Sequence, residues 1–263
     1  MNDILNISSY KFVPLHNLPA LREQLQEQAK LLGLKGTILI AEEGINLFLA
    51  ASSQRVHQFV TWLQTDPRFS DLAPKESWSD HQPFRKMLVK IKREIIRMNH
   101  PTIRPATGRA PAVSPSTLNR WLDQGHDDDG RPVVVLDTRN AFEVDCGTFK
   151  NAIEYRITKF TEFPEAIKAD RERLADKTVV SFCTGGIRCE KAAIYMQEIG
   201  LTHTYQLEGG ILKYFEETDA HHYRGTCFVF DERFALTPDL SPQTTATHTV
   251  TSGATGDVTP TPA

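Results

Sequence analysis

One stretch of the chain concentrates reactive chemistry: Ser181-Phe182-Cys183-Thr184-Gly185-Gly186-Ile187-Arg188-Cys189-Glu190-Lys191-Ala192. An apolar run leads into Cys183, Gly185 and Gly186 permit a tight backbone reversal, and a helix is expected to begin near Cys189. Backbone N–H groups of such a loop point inward together and, with a helix N-terminus, form a cradle for an anion. A sulfur at its centre is held as the thiolate, the form that attacks carbon or sulfur, and a persulfide or oxidised sulfur gains the same hydrogen bonds. Arg188 adds a permanent positive charge at the end of the loop. Cys183 is therefore the expected catalytic residue, with Thr184, Gly185, Gly186, Ile187 and Arg188 as its loop. A buried, inert thiol is the bland alternative, but a core cysteine has no need of a Thr-Gly-Gly turn into a helix. Cys189 has two readings: a resolving thiol that closes a disulfide on oxidised Cys183, or a packing residue at the helix start.

A loop of this kind needs a strand before it and a helix behind it. Residues 178–182 and 132–136 are apolar runs of the kind buried on both faces of a parallel sheet. Helical spacing follows over 165–174, 189–199 and 211–217, which gives an α/β architecture with a central, mostly parallel sheet. Asp137 and Arg139 stand at the carboxyl end of the 132–136 strand. Ligands gather at such ends, so the pair either lines the mouth of the site or forms an internal ion pair that orders the loops.

The first hundred residues alternate differently. A strand at 10–14, a helix over 18–32, strands at 37–41 and 45–50 around Glu42-Glu43-Gly44, a helix capped by Ser53, and a strand at 87–92 give the order βαββαβ. That order predicts a ferredoxin-like sandwich. Pro101, Pro105, Pro111 and Pro115 mark a boundary. The expected plan is a ferredoxin-like domain over 1–98, a Pro-rich linker at 99–116, an α/β domain over 117–222, a packed extension at 223–236 and a disordered tail at 237–263. The tail holds nine Thr and four Pro with no Lys or Arg, too little to bury.

Composition bounds the function. The 263 residues suit two modest domains, and 40% apolar content allows each a core. Thirty Lys and Arg against 33 Asp and Glu leave a net charge of -3, which excludes a chain that is basic throughout. Between Lys75 and Arg109, however, nine basic residues face three acidic ones. Lys86, Lys90 and Lys92 share one face of the 87–92 strand and, with Arg93, suit phosphate contacts. Protection of an edge strand by lysines is the competing account. No apolar run is long enough to span a bilayer, no basic-then-apolar leader opens the chain, and four cysteines are too few for a disulfide scaffold, so a cytoplasmic protein is expected.

Several segments beyond the loop carry a resemblance. Val135-Leu136-Asp137-Thr138-Arg139-Asn140, with Phe142-Glu143 and Gly147-Thr148-Phe149-Lys150-Asn151-Ala152-Ile153, is similar to the opening motif of rhodanese domains, although Thr148 stands where many rhodaneses have His. Leu207-Glu208-Gly209-Gly210-Ile211 resembles the segment near such a domain's end. Phosphatase loops place their Arg six positions after the Cys; here Arg188 follows by five, and Phe182 stands where phosphatases commonly carry His, so sulfur-sized chemistry is favoured.

A closer resemblance is to the tRNA uridine hydroxylases that carry a leading ferredoxin-like, acylphosphatase-like domain. It rests on Phe84-Arg85-Lys86, Lys92-Arg93-Glu94-Ile95, Asp137-Thr138-Arg139-Asn140, residues 183–192 and 205–214, Arg224-Gly225 and Cys227-Phe228-Val229-Phe230-Asp231, and it covers roughly residues 5–236. The resemblance implies oxygen-dependent hydroxylation of the wobble uridine, position 34 of tRNA, to 5-hydroxyuridine. Molecular oxygen is then the co-substrate with an unidentified reductant, and tRNA is the partner. No flavin, haem or iron motif is present in the sequence, no bound organic cofactor or metal is expected, and no obligate protein partner is evident. Two departures are visible: no cysteine follows Cys227, and Glu154-Tyr155 occupy a place where proline is usual. His221, His222 and Cys227 lie at irregular spacing for a metal site. The alternatives are a sulfurtransferase acting through a Cys183 persulfide and a non-catalytic RNA- or protein-binding rhodanese module.

Overall fold

In the computed structural model, which describes residues 3–243, the first domain has strands β1 (Ile4–Phe12), β2 (Lys35–Ala41), β3 (Gly44–Ser52), β4 (Lys75–Ser79) and β5 (Met87–Ile91), and helices α1 (Leu18–Leu31) and α2 (Ser53–Gln64). Leu21, Leu25 and Ala29 of α1 and Val56, Phe59 and Leu63 of α2 recur at helical spacing, so each helix turns an apolar stripe onto the sheet. There they meet Leu5 and Ile7 of β1, Ile38 and Ile40 of β2, and Ile45, Leu47 and Leu49 of β3. Ser52 is the N-cap of α2 and makes no side-chain cap bond, whereas Ser53, expected as the cap, is its first residue and bonds His57.

The sheet order is β4-β1-β3-β2-β5. The expected βαββαβ is present, but its last strand is β4, antiparallel to β1, and the expected strand at 87–92 is a fifth, parallel to β2. Lys-Glu-Ser-Trp-Ser hid β4 because its single large apolar residue, Trp78, is exposed. Register places Lys75, Ser8, Phe48, Thr37 and Leu88 in one row across the sheet. Tyr10, Asn46, Leu39 and Lys90 form the next row on the same face, the face that the two helices do not cover.

The second domain packs against that face. Its parallel sheet has the order β6-β10-β9-β7, from β6 (Ala112–Val113), β7 (Val133–Asp137), β9 (Thr178–Phe182) and β10 (Thr204–Leu207). Helix α3 (Pro115–Gln124) precedes β7, and α4 (Ala141–Val144) with β8 (Gly147–Phe149) follows it. Then come α5 (Phe163–Ala169), α6 (Arg171–Leu174), α7 (Ile187–Glu198) and α8 (Gly210–Glu217). The helix expected over 165–174 is thus two short ones broken at Asp170, and α7 begins two residues before Cys189.

Residues 99–116 carry buried Ile103 and Ala110 and include β6, and the Pro111 carbonyl accepts from Gln206 N–H. One core cluster contains Ala41, Ile95, Ile96 and Met98 together with Ile187, Ala192 and Met196 of α7, so the domains share apolar packing. Lys191, 1% exposed, clamps them: its ammonium reaches Glu94 at 2.6 Å, Glu43 at 2.8 Å and the Ile96 carbonyl at 2.9 Å.

The last described strands lie on the second domain: β11 (Tyr223–Gly225), paired with β8, and the ribbon of β12 (Cys227–Phe228) with β13 (Ala235–Leu236). Order continues past Leu236, where the tail was expected to begin: Leu236 bridges Pro242, and Leu240 packs on the core. The rest of the expected tail, 244–263, lies outside the described residues. No described helix is long and apolar enough to cross a membrane.

Candidate active site

Strand β9 delivers Cys183, and α7 starts four residues later. Gly186, the N-cap of α7, adopts φ 102°, a conformation that side chains rarely take, and its N–H donates to Cys183 Sγ at 3.1 Å. Gly210, at φ 67°, supports the loop from below: a Cβ there would stand 2.4 Å from the Cys183 carbonyl. Ile211 N–H donates to that carbonyl at 2.9 Å and Leu212 N–H to the Thr184 carbonyl at 3.1 Å. The Gly209-Gly210 segment therefore fixes the position of the cysteine loop.

Cys183 is 1% exposed. Burial alone pushes its thiol up, but the Cys189 thiol donating to it, the Arg188 charge, and the backbone N–H groups of Arg188 and Gly186 together bring it down to about 6. The α7 N-terminus adds its partial positive charge. Arg188 is held by a bidentate pair to Glu143, at 2.6 and 2.7 Å, and Glu143 in turn accepts from Asn140 N–H. The Arg188 Nε–H is buried with no hydrogen-bond partner among the described residues.

Cys189 is fully buried, 3.8 Å from Thr138 Oγ1, and both burial and the Cys183 charge push its thiol well up. It keeps its proton and gives the thiolate a hydrogen bond. Cys189→Ala is therefore expected to raise the pH at which Cys183 reacts with iodoacetamide, and Cys189→Ser to leave it nearly in place. A common profile for all three proteins would assign Cys189 to packing alone.

Asp137 and Arg139 are both 0% exposed at the side chain and 2.6 Å apart, so they form the internal pair and do not line the mouth. Thr148, standing where rhodaneses often have His, donates to Asp137 at 2.8 Å.

Cys183, Thr184, Gly185, Ile187 and Arg188 open onto a cleft of about 940 Å³ between the domains. Tyr10, Phe48 and Lys75 of the first domain form its other wall, with Phe84 and Phe230 at its sides. Lys75 Nζ donates to the Gly185 carbonyl at 3.2 Å, and burial pulls its pKa down. Tyr10 OH donates to Glu190 at 3.1 Å. The site thus combines a buried thiolate, a cation opposite it and aromatic walls, which suits a planar ring bearing carbonyl oxygens. The site roles of Lys75, Tyr10 and Glu143 escaped the sequence reading; each acts through a partner at least 45 positions away in the chain.

Lys86, Lys92 and Arg93 are exposed and Lys90 is half-buried. None of the four lines the cleft, although Lys90 shares the sheet face that does. Cys227 is fully buried and its thiol is pushed up to about 12 by burial. It stands apart from His221 and His222, which gather instead on Asp123 at 2.9 and 2.8 Å.

Residues 4–95 match the family described as UPF0176 acylphosphatase like domain, and residues 114–217 match the Rhodanese-like domain. A protein of Delftia acidovorans named tRNA uridine(34) hydroxylase is 71% identical over 92% of this chain and 92% of its own. Relatives of the same name in Variovorax paradoxus, 66% identical over 92% of each chain, and Bordetella petrii, 63% identical over 92% of this chain and 96% of its own, agree.

Proposed function

The chain belongs to the tRNA uridine(34) hydroxylase family, and on that premise we propose that it converts the wobble uridine of tRNA to 5-hydroxyuridine with Cys183 as the reacting thiolate. The observation that carries this reading is the Cys183 cradle opening on a cleft whose far wall belongs to the other domain. Both matched domains of this chain are needed to build that site.

The oxygen atom comes from molecular oxygen. Its partner atom leaves as water, at the expense of two electrons and two protons from an external reductant. In this reading Cys183 meets the uracil ring, Arg188 and the α7 N-terminus keep the sulfur ionised, and Lys75 faces the ring's carbonyl oxygens. The cradle also suits a persulfide sulfur, which would mark a sulfurtransferase.

Nucleoside mass spectrometry of tRNA from cells with and without the gene tests the product. Loss of 5-hydroxyuridine and its descendants supports the proposal, and loss of a thiolated uridine supports sulfur transfer. Purified protein, tRNA and ¹⁸O-labelled dioxygen then test the oxygen source: label in the product is expected, and its absence with labelled water incorporated would remove dioxygen from the scheme.

Lys86, Lys90, Lys92 and Arg93 are read as phosphate contacts for the body of the tRNA. Counterion release makes such contacts visible. Lys86→Ala/Lys90→Ala is expected to weaken tRNA binding and to flatten its salt dependence by about one to two units of slope. An unchanged slope would leave edge protection as the role of the strip.

A further inference from the structure

We propose that Phe142, Phe228, Phe230 and Phe234 form a stacking platform for the unpaired nucleotides that flank the target uridine, an inference that rests on the tRNA substrate proposed above. Four aromatic rings converge there edge to face. The centroids of Phe142 and Phe228 are 5.1 Å apart, those of Phe228 and Phe230 5.1 Å, and those of Phe228 and Phe234 5.3 Å. Phe142 remains 47% exposed and Phe234 49%, so two of the five large exposed hydrophobics among the described residues fall in one cluster. A patch of that kind marks a contact surface more often than scattered apolar residues do.

The segment is built to hold these rings out. Phe234 sits at φ 66°, a strained conformation for a bulky residue. Its neighbour Arg233 is buried, paired with Asp231 at 2.6 Å, and donates to Ser77 Oγ of β4 at 2.7 Å. The segment that presents the ring is thereby tied to β4 of the first domain as well as to its own ribbon, and a rigid aromatic loses little conformational freedom on binding.

The platform is continuous with the active-site cleft. Phe230 lines the cleft beside Cys183 and Arg188, as does Asn140, the N-cap of the helix that carries Phe142. Thr184 of the cysteine loop reaches the Phe228 carbonyl at 3.5 Å. On the outer side, Arg85 pairs with Glu232 at 2.8 Å, which brings the start of the Arg85-Lys86 basic strip to the same rim. An apolar platform between a cationic strip and a buried thiolate fits single-stranded RNA better than a protein surface. A base placed in the Cys183 cleft has left its stack, and its neighbours lose stacking partners. Aromatic rings at the rim replace those partners without regard to base identity.

The test measures binding of a short RNA stem-loop, with uridine at the wobble position of its unpaired loop, to full-length protein carrying Cys183→Ala so that no turnover intervenes. In that background Phe142→Leu and Phe234→Leu keep apolar bulk but remove the ring. Each is expected to weaken loop binding by about fivefold or more, with the salt slope and the thermal unfolding midpoint unchanged. Phe142→Tyr is expected to restore affinity, and a fully paired RNA duplex is expected to bind all variants alike. An affinity for the stem-loop within about twofold of the parent in Phe142→Leu/Phe234→Leu would overturn the platform while leaving the substrate reading intact. Equal losses on the duplex would also overturn it. A parent protein that does not bind the stem-loop would overturn the substrate reading and the platform with it.

Discussion

Cys183→Ala is expected to abolish uridine modification while shifting the thermal unfolding midpoint only slightly. The loss is complete because no other described thiol can replace the thiolate: burial pushes Cys189 and Cys227 up. Cys146 is raised as well, chiefly by burial. The fold survives because truncating a small side chain creates little cavity. The same thiol gives a pH signature. With its folded pKa lowered to about 6, single-turnover rate should fall as pH drops through that value and level off above it. For stability, a depressed acid binds its proton more weakly in the folded chain than in the unfolded one. Its contribution is present above the unfolded thiol value and is lost as pH falls through about 6. Cys183→Ala should therefore flatten the pH dependence of stability across that window. Wild-type turnover in this variant would remove Cys183 from the chemistry, and a collapsed melting transition would return it to the core.

The cysteine loop was legible because its determinants are local: strand β9, two glycines and the start of α7 lie within twenty consecutive residues. The cleft was not legible, because its walls meet only in the folded chain. Lys75 faces Gly185 across 110 positions, from a strand whose polar sequence carried no periodic signal. Glu143 could be read as the capping-box residue of α4, but nothing local says that the same carboxylate grips Arg188. The prolines near residue 105 mark a Pro-rich linker in the sequence; in the structure this segment sends Ile103 and Ala110 into the shared core, and its end adds β6 to the sheet. Register puts Lys90 on the cleft side of the sheet, whereas Lys86, Lys92 and Arg93 are exposed. The first-domain cation that reaches the sulfur loop, Lys75, comes from the opposite edge of the sheet, from β4.

The second large effect concerns stability. Asp137 accepts from Arg139 N–H at 3.0 Å, Arg139 Nε at 2.9 Å, Arg139 Nη2 at 2.6 Å and Thr148 Oγ1 at 2.8 Å. Arg139 also donates to the Gly147 carbonyl at 2.6 Å, which Tyr223 OH approaches at 2.8 Å. The pair thus ties the end of β7 to the β8–β11 ribbon. Asp137→Asn preserves the shape but leaves a guanidinium with no counter-charge where neither side chain reaches water. Stranding one member of a buried pair costs about 3–5 kcal/mol, so a Tm loss of roughly 10 °C is expected for a chain of this size. Activity at low temperature should fall less than stability, because neither residue lines the cleft. Thr148→Val, which removes one hydrogen bond, should cost about 1 kcal/mol. The diagnostic variant is Asp137→Asn/Arg139→Met: with the stranded charge gone, much of the lost stability should return, because an apolar replacement avoids burying an unpaired ion. If Asp137→Asn instead keeps its melting temperature and raises only KM for tRNA, the carboxylate meets substrate after all, and the internal pair is not its principal role.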